Sequence, residues 1–276
     1  GLPHNPMINA GAIMSCSLVK PNLFLSDRFD YILERWQALG GREQVGFNNS
    51  VYLSEKRTAD RNFALGYFMR EKGAFPTNVN LQETLDFYFQ CCSIELTAAT
   101  HAAIAATLAN AGVCPTTGEK VLKESTVKNC LSLMYSCGMY DFSGEWAFSV
   151  GLPAKSGVSG ALIIVIPNVM GISIWSPRLD ELGNSVRGIE IAREIVERFN
   201  FHKYDGVVNS NEKSDPTLHK NQSRMEGVVA LCWAASQGDL NEVRRLAANG
   251  VTLGDADYDG RTALHLAAAE GRKQVV

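Results

Sequence analysis

The chain has 276 residues, 46% hydrophobic and 20% charged, which excludes disordered, collagen-like and supercharged classes and leaves room for one large domain or two smaller ones. Twenty-six lysines and arginines against 29 acidic residues give a net charge of −3, so no basic footprint points to nucleic acid or to an anionic membrane. The longest apolar run, Ala161 to Pro167, falls far short of the ~20 residues of a membrane-spanning helix.

Seven cysteines, two of them adjacent (Cys91 and Cys92), form no disulfide framework, and reduced thiols are expected. Five histidines share no metal-ligand spacing and neither CxxC nor HExxH occurs, so no metal site is expected. The opening residues GLPHNPMINAGA have neither the basic start nor the apolar stretch of a signal peptide. They read as the interior of a longer chain.

In chain order, Ser26 to Leu39 places Phe29, Ile32, Leu33, Trp36 and Leu39 at helical spacing, with Ser26 as the N-cap and Gly40 just past the end. Helices are predicted over Ala59 to Glu71, Leu81 to Cys92, Thr97 to Ala111 and Glu124 to Ser136. The Ala-rich one, 97 to 111, lacks bulky side chains and is expected to pack closely inside the domain. Trp146 to Val150 then alternates as a strand would, and ALIIVIP and MGISIW read as two strands joined by a link short enough to make them antiparallel neighbours. Asn184 to Phe199 returns to helix, with Ile189, Ala192, Ile195 and Phe199 as its apolar stripe. A helical layer with an antiparallel sheet makes an α+β domain.

Lys203 to Met225 has linker composition, and residues 205–225 are taken as the boundary between a first domain over 1–204 and a second over 226–276. In the second, LCWAASQGD from Leu231 and LHLAAAEGR from Leu264 superimpose at an offset of 33. That period, with the segment DGRTALHLAA from Asp259 to Ala268, matches ankyrin repeats, helical units that are stable only when stacked. The second domain is therefore expected to be all-α, and the sequence stops within its second repeat.

The loop GLPAKSGVSG at 151–160 does not satisfy the phosphate-loop pattern, because Lys155 precedes Gly157 rather than following a glycine. Lys155-Ser156-Gly157 instead matches the Lys-Ser/Thr-Gly triplet of penicillin-binding proteins and serine β-lactamases, in which the following residue, here Val158, offers its backbone N–H to an oxyanion. An SxxK pattern occurs at Ser17 and Lys20, where a lysine one turn away could activate a serine, but Lys20 abuts Pro21 at a helix end.

Four segments taken together, HNPM with NAGAI (His4 to Ile13), Asp60-Arg61-Asn62, Cys137 to Gly144 (CGMYDFSG) and Gly151 to Val158, resemble the glutaminases of the serine β-lactamase-like superfamily, over Gly1 to about Tyr204. The ankyrin units point to the animal kidney and liver type. The resemblance implies hydrolysis of L-glutamine to L-glutamate and ammonia through a seryl acyl-enzyme, with no metal or organic cofactor. It implies substrate contacts at Asn9, Glu55, Asn62, Tyr88, Tyr140 and Val158, catalytic roles for Tyr140, Lys155 and Tyr88, and a nucleophile in an SxxK preceding HNPM and therefore upstream of Gly1. It further implies mitochondrial residence, homotetramers and activation by phosphate or a similar anion. The ankyrin units offer a surface for a protein partner. The alternatives are a catalytically dead hydrolase fold serving as an ankyrin scaffold, and a related acyl-transfer enzyme acting on another amide or a β-lactam.

Each residue also has a plain physical role open to it. Glu55 can be a solvated charge or the anion that meets a substrate ammonium, and it shares a face with Asn62 if the intervening segment is one continuous helix. Asn9 and Asn62 can be helix caps or donors to a carboxylate. Tyr140 is either a buried phenol tied to backbone or a proton carrier at a turn facing the Lys155 strand, with an acidity raised by the nearby ammonium. Tyr88 can share that task or pack among Phe87 and Phe89.

Overall fold

The computed structural model describes residues 1–207, 213–248 and 250–276, with the backbone alone over 218–223. It divides into two compact units, Gly1–Lys213 and Ser214–Val276.

The first unit begins with helices α1 (Asn9–Leu18) and α2 (Leu25–Leu39), strand β1 (Gly46–Phe47), and helices α3 (Asn49–Arg57), α4 (Asp60–Glu71) and α5 (Leu81–Cys91). Strand β2 (Ile94–Glu95) pairs antiparallel with β1, and α6 (Ala98–Ala109) and α7 (Glu124–Cys137) follow. A 3-10 turn at Tyr140–Phe142 leads into α8 (Ser143–Ser149), then strands β3 (Ala154–Ser156), β4 (Ala161–Ile166) and β5 (Met170–Trp175), and α9 (Val186–Arg198). The three strands form one antiparallel sheet in the order β3-β4-β5, with Lys155 opposite Ile163 and Ile164 opposite Ile172.

Strand β4 is apolar at every position because both faces of the sheet are covered. Leu162, Ile164 and Ile166 enter a core with Trp146, Leu152, Ile189 and Val196, while Ile163 and Val165 enter another with Ile104, Leu108, Val127 and Met134. The Ala-rich α6 comes against β5 so closely that a Cβ on Gly171 would lie 2.2 Å from the Ala106 nitrogen. No larger residue fits there without moving the helix. A third core joins Ile13 of α1, Met69 of α4 and Leu81, Leu85, Tyr88 and Phe89 of α5.

Three local expectations are corrected. Trp146 to Ser149 is helix, with Val150 as its C-cap, and not strand: Trp146 and Val150 are each 0% exposed while Phe148 is 86% exposed. Alternation would put all three on one face, whereas a spacing of four puts only the outer two together. Trp146 also donates its indole N–H to Leu152 O at 2.7 Å, and its loss to alanine should cost about 3–5 kcal/mol. The N-cap of α2 is Phe24, and Ser26 lies inside the helix with its hydroxyl toward Asp27. Arg28 sets this register by donating to Cys16 O at 2.6 Å and Val19 O at 2.9 Å, carbonyls at the end of α1. Finally, Glu55 and Asn62 do not share a continuous helix, because the chain breaks between α3 and α4 at Thr58 and buried Ala59.

The second unit holds α10 (Leu218–Gln237), α11 (Leu240–Ala248) and α12 (Ala263–Ala269). Helix α10 starts at Leu218, inside the stretch whose composition reads as linker. Gly238 ends it at φ 79°, a left-handed cap that glycine adopts readily. Thr262 and His265 form a reciprocal capping box at the start of α12, which gives the TALH segment of the repeat its physical reason. Leu231, Ala235, Val243, Leu246 and Ala267 fill the core of this unit.

Candidate active site

The Lys155 strand is fixed by a close approach to the end of α7. A Cβ on Gly138 would fall 1.7 Å from Ala154 O, and Ser156 N donates to Gly138 O at 3.0 Å. Only glycine lets the helix end meet the strand so directly. Two residues later Tyr140 turns its ring toward β3, and its hydroxyl donates to Ser156 O at 3.1 Å. Lys155 Nζ donates to the same carbonyl and lies over the Tyr140 ring, 4.5 Å from its centroid. One backbone oxygen thus gathers a phenol and an ammonium.

Burial depresses the Lys155 ammonium to about 8, against the opposing pull of Cys137. Tyr140 is shifted upward, first by burial and then by the field of Cys92. The expected acidification of Tyr140 is therefore corrected: Lys155 lies over the ring, and desolvation of the phenolate prevails. A bond from Tyr140 to a backbone carbonyl is also what a purely structural tyrosine would make. The acceptor shared with Lys155 is what sets this one apart.

Past Ser156 the chain turns back through Gly157, whose N–H bonds Ala161 O at 2.9 Å. Val158 at the tip is 71% exposed, and its N–H has no acceptor among the described residues. It is a free donor, as an oxyanion site requires. Ser156 Oγ is buried and also without a partner among the described residues.

A second group of side chains comes from the helices. Asn9 opens α1 and its Nδ2 donates to Asn62 Oδ1 in the first turn of α4 at 3.0 Å. Neither is a cap: the N-caps are Ile8 and Ala59, without side-chain bonds. Glu55 stands half-buried in the last turn of α3. That helix is capped by Asn48, which accepts from Val51 N at 3.0 Å, and is joined to α5 by Lys56 and Asp86 at 2.7 Å. Tyr88 of α5 is 8% exposed. Burial shifts its phenol upward, and Cys92 and the charge of Glu55 add to that shift.

Cys92 connects the two groups. Cys92 is exposed as a residue, yet desolvation around its sulfur, with the charge of Glu55, pushes the thiol up to about 11 against a lowering hydrogen bond with Tyr88, and as a thiolate it would raise both Tyr88 and Tyr140. Lys155 and Tyr140 meet on Ser156 O and Asn9 pairs with Asn62, while Glu55 and Tyr88 are related to them through electrostatic influence alone, by way of Cys92. The sequence pointed to Cys92 only as one of two adjacent thiols, although its place four residues after Tyr88 puts both on one helical face.

Ser17 and Lys20 are not a catalytic pair. Ser17 is 2% exposed and donates its hydroxyl to Met14 O at 2.6 Å. Lys20 lies beyond the end of α1 at φ 43°, with Nζ over the Tyr31 ring at 5.1 Å. The described residues contain no cluster of histidine, cysteine or carboxylate suited to a metal.

Comparison with known proteins bears on this arrangement. The family described as Glutaminase matches residues 1–204, and Ankyrin repeats (3 copies) matches residues 190–276. The chain is 51% identical over 276 residues to the glutaminase liver isoform, mitochondrial, of Rattus norvegicus, covering 100% of this chain and 46% of the relative. It is 53% identical over 270 residues to putative glutaminase 3 of Caenorhabditis elegans, covering 98% and 46%. It spans about half the length of these curated relatives. Among solved structures, a Bacillus subtilis glutaminase in covalent complex with 5-oxo-L-norleucine matches with TM-score 0.69 and 34% identity, over 73% of this chain and 70% of that one. The first unit accordingly has the β-lactamase-like α+β fold of the glutaminases, with ankyrin repeats behind it. With the family model matching residues 1–204 and relatives above half identity along the whole chain, the chain belongs to the glutaminase family.

Proposed function

We propose that the protein containing this chain hydrolyses the side-chain amide of L-glutamine to L-glutamate and ammonia through a seryl acyl-enzyme. The observation that carries the reading is the convergence of Tyr140 Oη and Lys155 Nζ on Ser156 O beside the free N–H of Val158. A serine oxygen bonds to the amide carbon while its proton passes to the Tyr140 oxygen as that phenol begins to give up its own, and the amide oxygen takes the developing charge against the Val158 N–H. Tyr140 then delivers the proton to the departing nitrogen, the C–N bond breaks and ammonia leaves. Water adds to the acyl carbon, its proton passes by way of Tyr140 to the serine oxygen, the C–O bond breaks, and glutamate leaves with the serine regenerated.

In this reading Glu55 holds the substrate ammonium and the Asn9–Asn62 pair serves its carboxylate, while Tyr88 borders the site and Tyr140 carries the proton. The nucleophile is a serine outside this chain. Ser17, bound to Met14 O, is not available for the part. The rat relative's name supports mitochondrial residence, and the ankyrin units supply a surface for a protein partner. Homotetramers and activation by phosphate or a similar anion complete the proposal, resting on the family resemblance.

The test is ammonia release by the full-length protein from L-glutamine, L-asparagine and a β-lactam. The expected result is turnover of glutamine in the ordinary enzyme range of ~1–1000 per second with little of the others. A normally melting protein that releases no ammonia from glutamine would favour the dead scaffold, and preference for another amide or a β-lactam would favour the related acyl-transfer enzyme.

A further inference from the structure

Tyr140 stands at φ 54°, in the left-handed region, where an aromatic residue persists only when its surroundings hold it. Two buried side chains do so. Ser143 Oγ accepts from Met139 N at 3.0 Å and donates to Tyr140 O at 2.7 Å. Asn184 Nδ2 donates to Met139 O at 3.3 Å. Both polar backbone groups of Met139 and the carbonyl of Tyr140 are thus committed. Ser143 is 7% exposed and Asn184 is 0% exposed, so water does not compete for these bonds.

Asn184 is anchored in turn. Its N–H donates to Asp180 Oδ1 at 2.9 Å and its carbonyl accepts from Asp180 N at 2.8 Å. The next residue, Ser185, caps α9 by accepting from Gly188 N at 3.1 Å and donates to Ser176 O at 2.9 Å, just after β5. The loop also lies along the phenol ring, since a Cβ on Gly183 would be 3.9 Å from Tyr140 Cδ2 and Cε2. The Asn184 Oδ1 is buried with no partner among the described residues. An unpaired buried acceptor is destabilising, and an apolar residue would avoid it; what Asn184 supplies here is its donor.

We propose that Asn184 and Ser143 are positioning residues for the reaction, holding Tyr140 in its left-handed conformation so that the phenol meets Ser156 O beside Lys155. The inference rests on the reading of Tyr140 as proton carrier. The bonds from these side chains to the 139–140 segment end on backbone atoms, so the effect on turnover passes through Tyr140.

A double-mutant cycle in the full-length protein tests this. Asn184→Ala should lower kcat for glutamine about 10- to 100-fold, the scale of a misplaced catalytic group, with KM nearly unchanged and an altered pH profile of kcat. In the Tyr140→Phe background the same change should lower kcat by less than about twofold, because the group it positions is gone. Equal losses in both backgrounds, a loss confined to KM, or parent kcat in Asn184→Ala would overturn the proposal. If Asn184→Ala does not yield folded protein, Ser143→Ala runs through the same cycle with the same criteria. The Tyr140→Phe variant alone reports on the underlying reading: parent turnover there removes the proton carrier and the positioning role together, whereas a large loss there with an additive Asn184 effect removes only the positioning role.

Discussion

Tyr140, Lys155 and Ser156 meet where a helix end, a left-handed turn and a strand are bound through backbone carbonyls, whereas Asn9, Glu55 and Asn62 stand in the terminal turns of three separate helices. In the first group Ser156 is buried and Tyr140 and Lys155 are half-buried, and its geometry is set by packing around Gly138, Met139 and Trp146. The second depends on capping, one ion pair and one side-chain hydrogen bond. Changes on the buried side should therefore act on the rate of the chemical step, and changes on the helical side should act on substrate affinity while sparing the fold.

The largest expected effect concerns neither side directly. On the proposed mechanism Lys155, Tyr140 and the Val158 N–H serve a serine that residues 1–276 do not supply, so residues 1–276 alone should release ammonia from glutamine on the order of 10⁴-fold or more slowly than the full-length protein. Comparable turnover by the two would return the nucleophile to a serine within the chain. On the helical side, Glu55→Gln in the full-length protein should raise KM for glutamine roughly 10- to 150-fold, the equivalent of about 1.5–3 kcal/mol for a hydrogen bond to a charged group. Melting should not change. An unaltered KM would make Glu55 a surface charge with no substrate to hold.

A smaller effect tests the burial of Lys155. Its folded-state value of about 8 lies below the ordinary 10.5, so between those values the unfolded chain binds a proton that the folded chain does not. Stability contributed by this group therefore rises as pH increases from about 8 and is flat below it. Tyr88 and Tyr140 act in the opposite sense: their raised values keep phenol protons that the unfolded chain loses above about pH 10. Cys92, raised to about 11, opposes Lys155 above about pH 8.5, so the Lys155 contribution is read as the difference in urea stability between this chain and Lys155→Met, which should grow in the parent's favour from about pH 8 to 10. A difference that does not change with pH would contradict the desolvation of Lys155.

The contrast also explains what could be read in advance. The helices over 60–71, 81–91 and 124–137 and the β4–β5 hairpin follow from local periodicity, and the second unit follows from a repeat of 33 residues. Trp146 to Val150 misled because alternation and a four-residue spacing share the same outer positions, and only the core on both sides of the sheet chooses between them. The residue types on both sides of the site were legible through short motifs. Their geometry was not: the Asn9–Asn62 bond spans 53 residues, the break at Thr58–Ala59 depends on packing of Ala59, and the roles of Ser143, Asn184 and Cys92 exist only once distant segments meet. The Tyr140 shift runs opposite to the sequence-based expectation for the same reason, since the burial of the phenol depends on segments distant in the chain.

The account turns on which phenol moves the proton. Tyr140 shares its acceptor with Lys155, while Tyr88 is 8% exposed and interacts with the thiol of Cys92 and the charge of Glu55. Measuring kcat for glutamine in the full-length protein with Tyr140→Phe and with Tyr88→Phe compares them directly, because phenylalanine keeps the ring and removes only the hydroxyl. The account predicts a loss of about 10² to 10⁴ for Tyr140→Phe and a far smaller one for Tyr88→Phe. Turnover of Tyr140→Phe within about threefold of the parent, a gap of less than 1 kcal/mol in barrier, together with the large loss in Tyr88→Phe, would contradict it.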